Sequence, residues 1–102
     1  KDSGIEERYI RLGNSQLLHP AMISLSDKAK TIYIYMLLES GGKRDFTFPR
    51  SKYNKLAGHS VFQGAKDELI EKGFIKVKQN NANLRKANIY EFSDEWKRYN
   101  PP

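Results

Sequence analysis

The chain contains no cysteine, one tryptophan, two methionines and four prolines in 102 residues. Without cysteine there can be no disulfide, no thiolate nucleophile and no Cys-based zinc site. That usage suits a reducing compartment, and a cytoplasmic location is expected. Long apolar runs are also lacking. The uncharged, mainly apolar stretches, residues 17–25 and 31–38, are well below the roughly 17 to 25 residues of a membrane-spanning helix. No basic segment leads into an apolar one as in a secretory signal. The chain begins at Lys1 rather than Met, as a fragment of a longer protein would. No Gly-rich loop with Lys-Ser/Thr is present to cradle a phosphate. The two histidines, His19 and His59, lie 40 positions apart with no motif linking them to carboxylates. Neither a metal site nor a catalytic triad is expected, no cofactor is implied, and the chain does not read as an enzyme.

What is present is positive charge, unevenly placed. The net charge is +6. Residues 43–86 hold eleven basic residues against four acidic ones, while the other 58 residues hold seven basic and eight acidic. The excess lies wholly in one stretch, as in the footprint of a polyanion such as nucleic acid. A lysine-rich solvated face is the plainer reading of the same numbers.

The 38% hydrophobic and 12% aromatic content is too high for a disordered chain. The length allows one domain, residues 1–102, with a core over about 26–96 and an N-terminal extension over 1–25. Tyr9-Ile10-Arg11-Leu12 suggests a short strand, and residues 17–25 an irregular apolar connector. Ser26 is a good N-cap with Asp27 behind it. Ala29, Ile32, Tyr33, Met36, Leu37 and Ser40 then repeat at helical spacing up to Gly41-Gly42. Phe46-Thr47-Phe48 predicts a short strand, and residues 50–57 a short helix closed by a left-handed Gly58. Ser60-Val61-Phe62-Gln63 fits a capping box, so the next helix is expected over 60–72, burying Phe62, Ala65 and Leu69. Gly73 ends it. Phe74-Ile75-Lys76-Val77-Lys78 alternates as a strand. A polar tip over 79–86 leads to the return strand Asn88-Ile89-Tyr90-Glu91-Phe92. A final turn over 94–100 uses Trp96 to cover the core.

Two helices joined by a Gly-containing turn, Gly58-His59-Ser60, and followed at once by a hairpin make the order of a helix-turn-helix unit with a wing. The run Ala65-Lys66-Asp67-Glu68-Leu69-Ile70-Glu71-Lys72-Gly73-Phe74-Ile75 resembles the recognition-helix-to-wing junction of winged helix-turn-helix domains. With Phe46-Thr47-Phe48-Pro49, the resemblance covers about residues 26–96. It implies an α+β fold, with a three-helix core and a two-stranded β-hairpin wing. At a finer grain, Tyr9-Ile10-Arg11-Leu12, Leu25-Ser26-Asp27-Lys28-Ala29-Lys30 and Phe46-Thr47-Phe48-Pro49 resemble small winged-helix proteins of plasmids and phages. These are replication-initiator N-terminal domains and TcpK-like accessory proteins that bind origins of transfer in conjugation.

The function this implies is sequence-specific binding of double-stranded DNA at an origin of transfer or replication. The rival readings are a transcriptional repressor and a winged-helix module that docks an acidic protein. Partners would be the duplex, a second copy of the chain and other DNA-processing proteins, with no membrane. Residues 17–25 and the Tyr9–Leu12 segment are the candidate dimer elements. In the wing, Lys76, Lys78, Gln79, Asn80, Asn81, Asn83, Arg85 and Lys86 are the expected DNA contacts, with Arg85 and Gln79 the foremost base readers. In the recognition helix His59, Ser60, Gln63 and Lys66 assist. Gln63 is either free for adenine or engaged in the capping box. Arg50 and Lys52 are phosphate candidates. Six to eight phosphate contacts would make log K fall against log salt with a slope near −5 to −7.

Overall fold

The computed structural model describes residues 12–84 and 86–99. These form an α+β arrangement of five helices and a three-stranded antiparallel sheet. In chain order the elements are α1 (Asn14–Leu17), α2 (Pro20–Ser24), α3 (Asp27–Ser40), β1 (Asp45–Thr47), α4 (Arg50–Tyr53), α5 (His59–Glu71), β2 (Ile75–Gln79) and β3 (Ile89–Phe92). Short 3-10 turns occupy Ala82–Leu84 and Glu95–Arg98. The Tyr9–Arg11 part of the expected first strand lies outside the described residues.

Residues 17–25 are not an irregular connector. His19 Nδ1 accepts from the Ala21 N–H at 3.1 Å, and Pro20 fills the first helical position, so the segment starts a helix. That helix buries Ala21 and Met22, and Leu25 follows them into the core. Ser26 caps α3 as expected, its Oγ accepting from the Ala29 N–H at 3.1 Å. A second cap comes from elsewhere: Glu68 takes the Ser26 N–H at 2.7 Å and the Ser26 hydroxyl at 2.8 Å. Glu68 is therefore a tie between α5 and the start of α3. Ala29, Ile32, Tyr33, Met36 and Ser40 face the core, and Gly41 closes α3 at φ 61°.

The sheet order is β1-β3-β2. Phe46 and Val77 both pair with Tyr90, while Ile75 pairs with Phe92. Thr47, Gln79 and Ile89 mark one end of the sheet, next to the hairpin tip, and Asp45, Glu91, Phe92 and Ile75 the other. α4 follows β1 directly, so it begins at the tip end. Tyr53 from α4 stacks on Phe62 from α5, with ring centres 3.8 Å apart, and Phe48 packs on both. The start of α5 is thereby held against α4. At the base end Trp96 stacks on Phe74 at 5.8 Å, and its N–H donates to the Gly73 carbonyl. Phe74, Ile32, Met36, Leu69 and Ile75 are the largest fully buried side chains, each worth about 1.5 to 3 kcal/mol of transfer free energy.

Candidate nucleic-acid interface

The N-cap of α5 lies two residues earlier than the capping box required. It is Gly58, extended at φ −67° rather than left-handed, with no side chain bonded to the first-turn N–H groups. Ser60 therefore lies inside the first turn, where its hydroxyl has no cap to make. The capping box is overturned for a local reason: His59 is tied to Tyr53, its Nδ1 lying 2.9 Å from Tyr53 Oη, which draws it into the helix. Gln63 is released from the box and turns back to His59, with Nε2 to Nε2 at 3.4 Å. The helix start carries no acidic residue. Unpaired N–H groups and a positive dipole end together favour an anion there.

Phe62, Ala65 and Leu69 are buried, and His59, Ser60, Gly64 and Asp67 are exposed, as the periodicity required. Gln63 is half-buried. Val61, given no role from sequence, is 47% exposed in the first turn. The same period that buries Phe62 turns Val61 outward, so the signal was present. Lys66 is mostly buried along its length and lies 3.4 Å from Asp67.

The wing differs most from expectation. Its cations are not without acids, because the fold brings acids to them. Lys78 pairs with Asp45 of β1, Lys76 with Glu95 at 3.4 Å, and Arg44 with Glu91 of β3 at 3.0 Å. Three cations and three carboxylates thus share the outer face of the sheet. The Asp45 carboxylate raises the Lys78 ammonium above its usual value, chiefly by hydrogen bonding to it. Asn81 is buried, which removes it as a free base reader. Its amide donates to the Ala87 carbonyl at 3.0 Å and its Oδ1 accepts from Gln79 Nε2 at 2.8 Å. Gln79 is therefore also engaged within the hairpin, although its residue is exposed. Asn80, Asn83 and Lys86 are exposed. Arg85 lies outside the described residues.

Lys52 lies 3.6 Å from Glu39 of α3. Of the basic stretch, Lys43, Arg50, Lys55 and Lys86 form no ion pair with another described residue. Arg50 and Lys55 belong to α4 and the turn after it, which pack on α5 through Tyr53 and Phe62, and Lys86 belongs to the hairpin tip. Six of the ten described cations in the stretch thus face a carboxylate.

A cleft of about 550 Å³ opens at the base end, between the Gly41-Gly42 turn, Tyr33, Phe92, Trp96, Lys43 and Arg44. Gln16 Nε2 donates to Tyr33 Oη there at 2.9 Å. Burial pushes the Tyr33 phenol up, the Gln16 bond pulls it partly back, and Asp94 raises it further. Asp94 also lines the cleft, so its charge is mixed. Among the described residues no group of three or more His, Asp or Glu could hold a metal ion, and no helix is long and apolar enough to cross a membrane. Compared with protein-family models, curated proteins and solved structures, the chain matches none.

Proposed function

We propose that the chain binds double-stranded DNA in a sequence-specific manner as a winged helix-turn-helix domain, and that it is not an enzyme. The observation carrying this reading is the uncapped start of α5, held against α4 by the Tyr53–Phe62 stack, with Arg50 and Lys55 of α4 and its following turn, and Lys86 of the hairpin tip, paired with no acid among the described residues. A B-DNA major groove about 12 Å wide admits one helix, whose first residues meet base edges. In that pose the N–H groups of the α5 start take a phosphate, while Ser60, Gln63 and Val61 face bases. Val61 offers an apolar contact for a thymine methyl. Gly64 has open space where a Cβ would stand, so backbone can approach the groove wall. Arg50 and Lys55 neutralise phosphates beside the groove. Lys86, Asn80 and Asn83 reach the neighbouring groove from the wing.

The paired Lys76 and Lys78 shift weight from the wing strand to its tip and to α4. Surface ion pairs are worth only about 0 to 1 kcal/mol, so these lysines can still exchange partners, but at a loss. An origin of transfer or replication is the target we infer from the resemblance of Tyr9-Ile10-Arg11-Leu12, Leu25–Lys30 and Phe46-Thr47-Phe48-Pro49. One module buries a modest interface, so tight binding would use two copies on adjacent half-sites. The test is fluorescence anisotropy of a labelled duplex at about 50 mM salt, followed by selection from a random duplex pool. Binding that weakens with salt and enriches one sequence supports the reading. No binding to any duplex at that salt overturns it.

A further inference from the structure

Among the described residues, the exposed side chains around the hairpin tip are polar, namely Gln79, Asn80, Asn83 and Lys86, with one exception. Leu84 closes the 3-10 turn Ala82–Leu84 and is 61% exposed. A single exposed leucine on a surface needs no explanation. One on a turn hydrogen-bonded at the end of an arm is a different matter. The holder is Asn81, 5% exposed and bonded through both backbone and side chain. Its N–H donates to Asn88 Oδ1 at 2.8 Å, its side chain to the Ala87 carbonyl at 3.0 Å, and its Oδ1 accepts from Gln79. Its carbonyl accepts from the Leu84 N–H at 2.9 Å and from the Lys86 N–H at 3.3 Å. Leu84 is thus bonded through its backbone to a buried hub, which lowers the ordering cost of bringing it to a partner.

A surface that fits this tip must be anionic around the rim, rich in hydrogen-bond acceptors further in, and apolar at the depth one leucine can reach. A duplex minor groove has that layering: phosphates outside, purine N3 and pyrimidine O2 acceptors on the floor, and stacked base faces between successive pairs. An apolar protein groove offers the depth without the demand for a cation and amides around it. We propose that Leu84 is a wedge that enters a base step from the minor groove, partly unstacks it and bends the duplex. This rests on the duplex-binding reading above and adds to it a source of specificity that needs no base-edge hydrogen bond. Pyrimidine–purine steps such as TA unstack easily and A-tracts resist, so the wing favours DNA that is cheap to deform at its tip.

The test compares the full chain on two duplexes of about 30 base pairs, one of alternating TA steps and one an unbroken A-tract, with dyes at both ends. 2-Aminopurine replaces an adenine at several steps to report unstacking. The expected result is brightening and a shortened end-to-end distance on the TA duplex and little of either on the A-tract. Leu84→Ala should bind the TA duplex within about ten-fold of the parent yet leave it stacked and straight, and Leu84→Phe should restore both signals. Leu84→Gln, with the same melting temperature as the parent, serves as the polar control should alanine disturb the turn. A bound but straight and unbrightened parent complex overturns the wedge alone, as does brightening that survives in Leu84→Ala and Leu84→Gln. Failure to bind either duplex overturns the duplex reading and the wedge with it.

Discussion

Gly73 shows how much one residue can decide. It ends α5 at φ 85°, and a Cβ placed there would stand 2.6 Å from the Trp96 backbone nitrogen. Left-handed backbone and a backbone clash act together, so Gly73→Ala is expected to lower stability by about 2 kcal/mol or more. Urea unfolding measures it, and a change under about 0.5 kcal/mol would show that the Trp96 turn yields. Tyr33 governs behaviour at high pH. Its folded pKa is raised above 10.0, first by burial. Once pH passes 10.0 the unfolded chain releases the phenolic proton while the folded chain still holds it. The native state then binds more protons, and stability falls as pH rises; below 10.0 the contribution is complete. Tyr90 is raised in the same direction by its own burial. Melting temperature should therefore fall from about pH 10 upward, and Tyr33→Phe should flatten that fall at a cost of about 1 kcal/mol near neutrality for the lost Gln16 bond. An unchanged alkaline slope in Tyr33→Phe would count against burial as the cause.

At the scale of elements, α5 carries two demands that meet at Gly64. A glycine inside a helix costs roughly 1 kcal/mol against alanine, and nothing lies within 4 Å of where its Cβ would be. Packing therefore does not require it. Gly64→Ala is expected to raise stability by about 1 kcal/mol while weakening duplex binding, because a methyl would keep the helix backbone off the groove wall. Melts and anisotropy on one protein sample separate the two effects. A gain in stability with unchanged binding would remove Gly64 from the interface. The periodicity of α3 and α5 was readable because a helix buries one face and repeats it every turn: Ala29, Ile32 and Met36, then Phe62, Ala65 and Leu69. The helix start was not readable at Ser60, because a capping motif competes with tertiary contacts and here the Tyr53–His59 bond prevailed. Residues 17–25 misled for a similar reason, since His19 is a rare N-cap whose ring nitrogen replaces the usual hydroxyl or carboxylate.

For the whole molecule, the question is which cations act together. Arg50 and Lys55, on α4 and the turn after it, pair with no acid among the described residues, while Lys76 faces Glu95 on the outer face of the sheet. Arg50→Ala should lower affinity evenly across sequences and reduce the salt slope by about 1, and Lys76→Ala should change it by clearly less. With three or four unpaired cations engaged, the slope for the parent chain should be nearer −3 to −4 than the −5 to −7 expected from sequence. Equal effects of Arg50→Ala and Lys76→Ala would return the wing strand to the interface.

Local chemistry settled the order of the elements. Apolar spacing, Ser26, the Gly41-Gly42 stop, Gly73 and the alternation after it act over a few residues, so a linear chain displays them. Charge is different, because a carboxylate acts through space. Asp45 lies 33 positions from Lys78, and Glu91 lies 47 from Arg44, yet each pair meets on the sheet. Only folding could decide which lysines kept a field to offer, and it likewise decided that Asn81 would brace the hairpin while Leu84 was left facing outward.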